Sequence, residues 1–211
     1  MFDMRWLSLA VFLTMFSAAS ASMEAAAIGG KRRTTKSRPD IRHVDGRDLY
    51  RNGQGIRSIS FFGMDVQVYL AHFYSHKPLR TEDDVMTCDE CPMQLDFTFL
   101  RSVNKSQAKW AWQQQLQYSV SFQYDGYEDD QTTFMDILAN PIGHGDILTF
   151  QLIGDNTVIM VKGDEIGRIP GRNFQRAFLS MWFGKQPVTA ELKEGLLSGT
   201  VPAHIGKPQD A

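Results

Sequence analysis

The hydrophobic and polar positions change period several times along the chain, and each change predicts an element. Gln54 to Phe62 alternates, and after Gly63 the run of Val66, Val68 and Leu70 continues to Tyr74, so a hairpin with a glycine turn is expected. Thr81 to Glu90 is acidic and reads as a loop, and Met93 to Leu100 alternates again with Met93, Leu95, Phe97 and Phe99 on one side. The period then lengthens. Asn104 with Gln107 three residues on makes a capping-box-like start, and Ala108, Trp112, Leu116 and Val120 recur at every fourth position. A second helix is expected over Asp129 to Leu138, where Phe134, Ile137 and Leu138 share a face and Asn140-Pro141 stops it.

Strands return at Ile147 to Ile153 and Val158 to Lys162, flanking the turn signal Gly154-Asp155-Asn156, with a short strand at Glu165 to Ile169 after Gly163-Asp164. The sharpest periodicity comes next: Phe174, Ala177, Phe178, Met181 and Trp182 form a stripe that buries one helix face. Pro187 separates it from a shorter helix around Thr189 to Leu197, with Thr189 as its N-cap. Strands arrive in hairpins and do not alternate with helices, so the fold class is α+β, an antiparallel sheet covered by helices. The domain is expected over residues 46–200, with a tail at 201–211.

Residues 1–21 have a different grammar. A flank with Arg5, an apolar run from Trp6 to Phe16 and the small residues Ser17 to Ala21 read as a secretory signal peptide, with Ala19-Ser20-Ala21 as its cleavage site. The apolar run is about 11 residues long, where a spanning helix needs about 20, so no stable membrane span is expected after processing. Residues 22–45 follow as a basic segment: Lys31, Arg32, Arg33, Lys36 and Arg38 lie among Thr34, Thr35 and Ser37, with no acid from Ala25 to Arg38. That composition suits either an organelle transit peptide, as for a plastid protein routed through the secretory pathway, or a basic linker in a secreted protein.

Composition sharpens this division. Of 211 residues 43% are hydrophobic, and 22 Lys and Arg face 24 Asp and Glu for a formal net charge of -2, which suits one domain with an extension. Residues 1–38 hold 6 of the 22 bases and 2 of the 24 acids, so the remainder is acidic and nucleic acid is not expected as a partner.

Other candidate chemistry is sparse. Cys88 and Cys91 have redox-motif spacing but sit in the acidic loop and do not open a helix, which points to a loop disulfide or two free thiols. The five His, at 43, 72, 76, 144 and 204, are scattered, so no metal is expected, and no cofactor either. Asn104-Lys105-Ser106 matches a glycosylation acceptor, yet Asn104 is also the expected helix cap. Gly53-x-Gly55 and Gly143-His144-Gly145 open no helix within a βαβ unit, which excludes a nucleotide loop.

Several strings, in this order, resemble the chalcone isomerase-like superfamily: Asn52-Gly53-Gln54-Gly55-Ile56-Arg57, Val68 to Tyr74, Leu95 to Arg101, Ala111-Trp112, Gly145-Asp146, and Phe174 to Gly184 followed by Pro187-Val188. The resemblance covers about Asp48 to Leu197 and is greatest to the bacterial and algal branch. It implies an open-faced β-sandwich with a cleft between sheet and helices. In the isomerases of the family an arginine neutralises charge developing as a phenolate attacks an enone, while threonine, tyrosine, lysine and asparagine orient the substrate. By position the arginine falls on Arg57 and the threonine on Tyr69; the helix positions fall on Gln107, Trp110 and Gln114, and the last on Met181.

Only the arginine survives that transfer. Trp110 supplies no ammonium and Met181 no hydroxyl, and each missing hydrogen bond costs roughly 1–3 kcal/mol of orientation. Chalcone cyclisation is therefore the alternative. The leading expectation is the non-catalytic branch, in which an arginine and a tyrosine hold the carboxylate of a fatty acid or similar amphipathic ligand, here Arg57 and Tyr69 with Trp110, Gln114 and Met181 around them. Without the resemblance, Arg57 would be an ordinary surface cation and Tyr69 an ordinary core aromatic.

Overall fold

In the computed structural model, which describes residues 41 to 199 apart from 62, 63, 90, 121 and 123, seven strands form one sheet in sequence order, every pair antiparallel. They are β1 (Ile41–Val44), β2 (Arg47–Phe61), β3 (Met64–Ser75), β4 (Met93–Phe99), β5 (Ile147–Ile153), β6 (Asn156–Val161) and β7 (Asp164–Pro170). The helices are α1 (Glu82–Met86) between β3 and β4, α2 (Lys105–Ser119) and α3 (Tyr127–Ile137) between β4 and β5, and α4 (Arg172–Phe183) and α5 (Ala190–Leu196) after β7. None of these helices is long and apolar enough to cross a membrane. The signal peptide, most of the basic segment and the tail expected from the sequence lie outside the described residues.

The expected elements stand close to their places, with two additions. β1 falls within the segment read as a transit peptide or linker; Asp45-Gly46, both at positive φ (50° and 70°), turns it onto β2 in the manner of a tight hairpin. Thr81 to Glu90 is not all loop, because Thr81 caps α1 and the Asp84 side chain returns to the Thr81 backbone. The Asn104–Gln107 capping box starts α2 as expected.

One sheet face carries the main core. Leu95, Phe97 and Phe99 of β4 and Leu148, Phe150 and Leu152 of β5 are buried beneath α4, whose Phe174, Ala177, Phe178, Met181 and Trp182 are all buried, as the stripe predicts. The rings interlock: Phe150 lies 4.5 Å from Phe178, and Phe178 4.8 Å from Trp182.

The other face is polar and also buried. Asp96 of β4 accepts hydrogen bonds from Arg42 (3.1 and 3.0 Å), Gln94 (2.8 Å) and Thr149 (2.7 Å). Arg42 lies on β1, separated from β4 by two strands, and its guanidinium crosses the Tyr74 ring at 4.5 Å on the way. A side chain spans that interval only where the sheet curls, so this face is the inside of a half-barrel. Val44, Leu49, Tyr74 and Ile153 form a small apolar cluster there.

Candidate functional site

Arg57 owes its place to two glycines. Gly53 and Gly55 precede it on the same face of β2, and α5 lies directly on them: a Cβ on Gly55 would stand 2.8 Å from Leu192 Cδ1, and one on Gly53 would run into the carbonyls of Gly195 and Leu196. Buried Asn52 ties the same contact together, donating to the carbonyls of Leu79 (2.7 Å) and Leu196 (3.0 Å) and accepting from the Leu79 N–H (2.9 Å). The Gly-x-Gly string is thus a seat for a helix backbone, and Arg57 is the first large side chain beyond it on that face.

Across the ladder Arg57 pairs with Tyr69 of β3, which in turn pairs with Phe99 of β4. The Tyr69 ring stands edge-on to Phe97 at 5.1 Å and tilted to Phe99 at 5.9 Å, and its hydroxyl accepts the indole N–H of Trp182 at 3.4 Å. Burial raises the Tyr69 pKa above its ordinary value, although the Trp182 bond and the Arg57 charge oppose the rise. Tyr69 is therefore a neutral phenol with a proton to donate.

Arg57 is half-buried. Burial lowers its pKa, against the fields of Tyr69 and Glu191, which raise it; a guanidinium so shifted is still a cation at neutral pH. Its Nη1 donates to the Ser58 carbonyl at 2.6 Å. Among the described residues no carboxylate lies within ion-pair distance of it.

The other expected site residues are placed as follows. Trp110 is half-buried and Gln114 exposed on α2, while Met181 is fully buried in the core with its carbonyl accepting from the Val188 N–H at 2.8 Å. Gln107 is occupied as the capping-box partner of Asn104. The helix side chain that reaches Tyr69 is Trp182, one residue beyond Met181, and beside it Trp112 lies 5.8 Å from Trp182 and 6.4 Å from Phe97. Gln114 thus faces solvent and Met181 the core, because a helix turns about 100° per residue and the looser transfer by position sets no rotation. Trp182 was legible only as one position of the apolar stripe.

Two features lie elsewhere. A cavity of about 100 Å³ is walled by Ile137, Leu138, Pro141, Ile142, Val161 and Ile166 with Asn140, toward the β6–β7 side of the sheet. Cys88 and Cys91 form a disulfide next to Asp89, which pairs with Arg176 of α4 at 3.0 Å, so of the two states left open for these cysteines the structure has the bridged one.

A family model described as chalcone isomerase-like matches residues 33–198. The chain belongs to the chalcone isomerase-like family. Among solved structures, the crystal structure of a fatty-acid binding protein from Arabidopsis thaliana is similar at a TM-score of 0.60 and 16% identity, over 71% of this chain and 86% of that one. At that identity the likeness establishes the fold, which is the open-faced α+β architecture expected of the family. No curated protein matches.

Proposed function

We propose that this chalcone isomerase-like chain is a binding protein that holds a fatty acid or similar amphipathic carboxylate, with no covalent chemistry. The observation that carries the reading is the state of Arg57: a half-buried guanidinium with no carboxylate partner among the described residues. Withdrawing a cation from water without an anion is costly, and a two-point carboxylate is the group a guanidinium matches best. The neutral Tyr69 hydroxyl adds a third donor. The acyl chain would follow the incompletely buried apolar side chains from Tyr69 toward Val103 and Trp112. That the similar Arabidopsis protein is a fatty-acid binding protein supports a lipid ligand.

The test is binding of dodecanoate to the delipidated chain by calorimetry. Wild type is expected to bind and Arg57→Gln to lose at least tenfold in affinity; equal binding by the two would sink the anchor. Cyclisation of a chalcone above the uncatalysed rate, abolished by Arg57→Gln, would replace binding with the isomerase reading.

A further inference from the structure

We propose that Glu191 sets the selectivity of the Arg57 anchor by holding an opposing charge at its mouth. This rests on the carboxylate-anchor reading and deepens it. The contact of α5 with β2 fixes the geometry. Gly53 meets Gly195 and Leu196 near the helix C-terminus, whereas Gly55 meets Leu192. Progress along the strand from 53 to 55 therefore runs back along the helix from 196 to 192, and the next position on that face, Arg57, faces the first turn of α5. Glu191 stands in that turn, one residue before buried Leu192. The approach is close, since a Cβ on Gly195 would come within 2.5 Å of the Gln54 carbonyl oxygen.

Glu191 is exposed, and among the described residues it has no ion pair. Lys193 of the same helix is committed elsewhere, to Glu82 at 2.8 Å and the Gly184 carbonyl at 2.8 Å. The negative field of Glu191 reaches Arg57, where it opposes the effect of burial, yet the two do not touch. A cation and an anion thus stand near one another on β2 and α5 without forming an ion pair. An entering carboxylate is drawn by Arg57 and repelled by Glu191, whereas an uncharged headgroup feels neither strongly. The consequence is a carboxylate held loosely enough to be released, which suits a carrier better than a sink.

The experiment compares decanoate with decanol on delipidated full-length wild type, Glu191→Gln and Arg57→Gln. Glu191→Gln is expected to tighten decanoate about three- to tenfold, as for unit charges several ångströms apart near a surface, and to leave decanol unchanged. An unchanged decanoate-to-decanol ratio overturns the role of Glu191 and leaves the anchor standing. Equal decanoate binding by wild type and Arg57→Gln overturns the anchor instead. A readout without lipid keeps the two apart: phenylglyoxal, which attacks the neutral guanidine, is expected to modify Arg57 faster in Glu191→Gln, as followed by peptide mass spectrometry. An unchanged rate means that the charge of Glu191 does not act on Arg57, and it overturns the proposal whether or not any lipid binds.

Discussion

The indole N–H of Trp182 donates to the hydroxyl oxygen of Tyr69 at 3.4 Å. An indole can only donate, so the tyrosine oxygen is the acceptor and its own proton is left for another partner. Arg57 sits opposite in the ladder, so that proton is left beside the place proposed for a carboxylate. Trp182 is in this sense a positioning residue for Tyr69. Trp182→Phe is expected to cost about 1–3 kcal/mol of stability in urea unfolding and to weaken dodecanoate binding several-fold. The affinity loss should largely vanish in a Tyr69→Phe background, with a coupling of about 0.5–1.5 kcal/mol. Additive losses would show that Trp182 merely packs.

The curl of the sheet depends on a second pair. Asp96 has 2% of its side chain exposed and Arg42 18%, and between them they join β1 to β4. Removing Asp96 takes a largely buried charge-assisted pair from Arg42, so Asp96→Ala is expected to destabilise by about 3–5 kcal/mol. It also strips Gln94 and Thr149 of their acceptor. Urea denaturation with an unchanged slope checks this; a loss below about 1 kcal/mol would mean the curl is held by the apolar cluster alone.

These pairs also show why some parts of the fold were legible and others not. The α4 stripe announces itself because burial there is apolar and periodic, and the β2–β3 hairpin because a glycine separates two alternating runs. β1 is four residues long and is held in part through Arg42, a residue that hydrophobic periodicity counts as surface. α1 looked like loop because Glu82, Asp83 and Asp84 are acidic, although the Thr81-x-x-Asp84 spacing is itself a cap signal. Arg57 and Tyr69 were singled out by resemblance. Glu191 was not, since the packing of α5 on Gly53 and Gly55 brings it to that strand, and no residue pattern shows that packing.

That contact makes a graded prediction. Gly55→Ala brings a methyl against Leu192 Cδ1 at 2.8 Å, the end of a side chain that can turn aside, and a cost of about 1–2 kcal/mol is expected. Gly53→Ala meets the carbonyls of Gly195 and Leu196, which cannot move without shifting α5, so the loss should be larger and ligand affinity should fall with it. Thermal unfolding of both variants checks the order; a more harmful Gly55→Ala would mean that α5 yields before Leu192 does.

The routing expected from the sequence makes a prediction at the N-terminus. If the basic segment is a transit peptide, the mature chain should begin near Asp40, which leaves β1 intact from Ile41 and preserves the Arg42–Asp96 pair. A secreted protein should begin near Ser22. N-terminal sequencing of the protein from its own cell decides between them, and a start beyond Arg42 would contradict both, since the curl would lose its cation.

Alkaline pH offers a last test. The Tyr124 hydroxyl donates to Asp130 at 2.8 Å, and burial first, then that carboxylate, push its pKa far above the ordinary value; burial raises Tyr69 as well. A tyrosine whose pKa is raised on folding keeps its proton in the native state while the unfolded chain gives it up near pH 10. The stability linked to these protons is therefore fully present below about pH 10 and is lost as pH climbs through the raised native values. Of the six tyrosines, Tyr69, Tyr124 and Tyr127, all raised by burial, should titrate late in a titration followed at 295 nm. Tyr69→Phe and Tyr124→Phe should each remove part of that late step and flatten the alkaline fall in stability. If the late step is unchanged in Tyr69→Phe, then Tyr69 ionises with the exposed tyrosines, and its hydroxyl is not buried between Trp182 and Arg57 as the site requires.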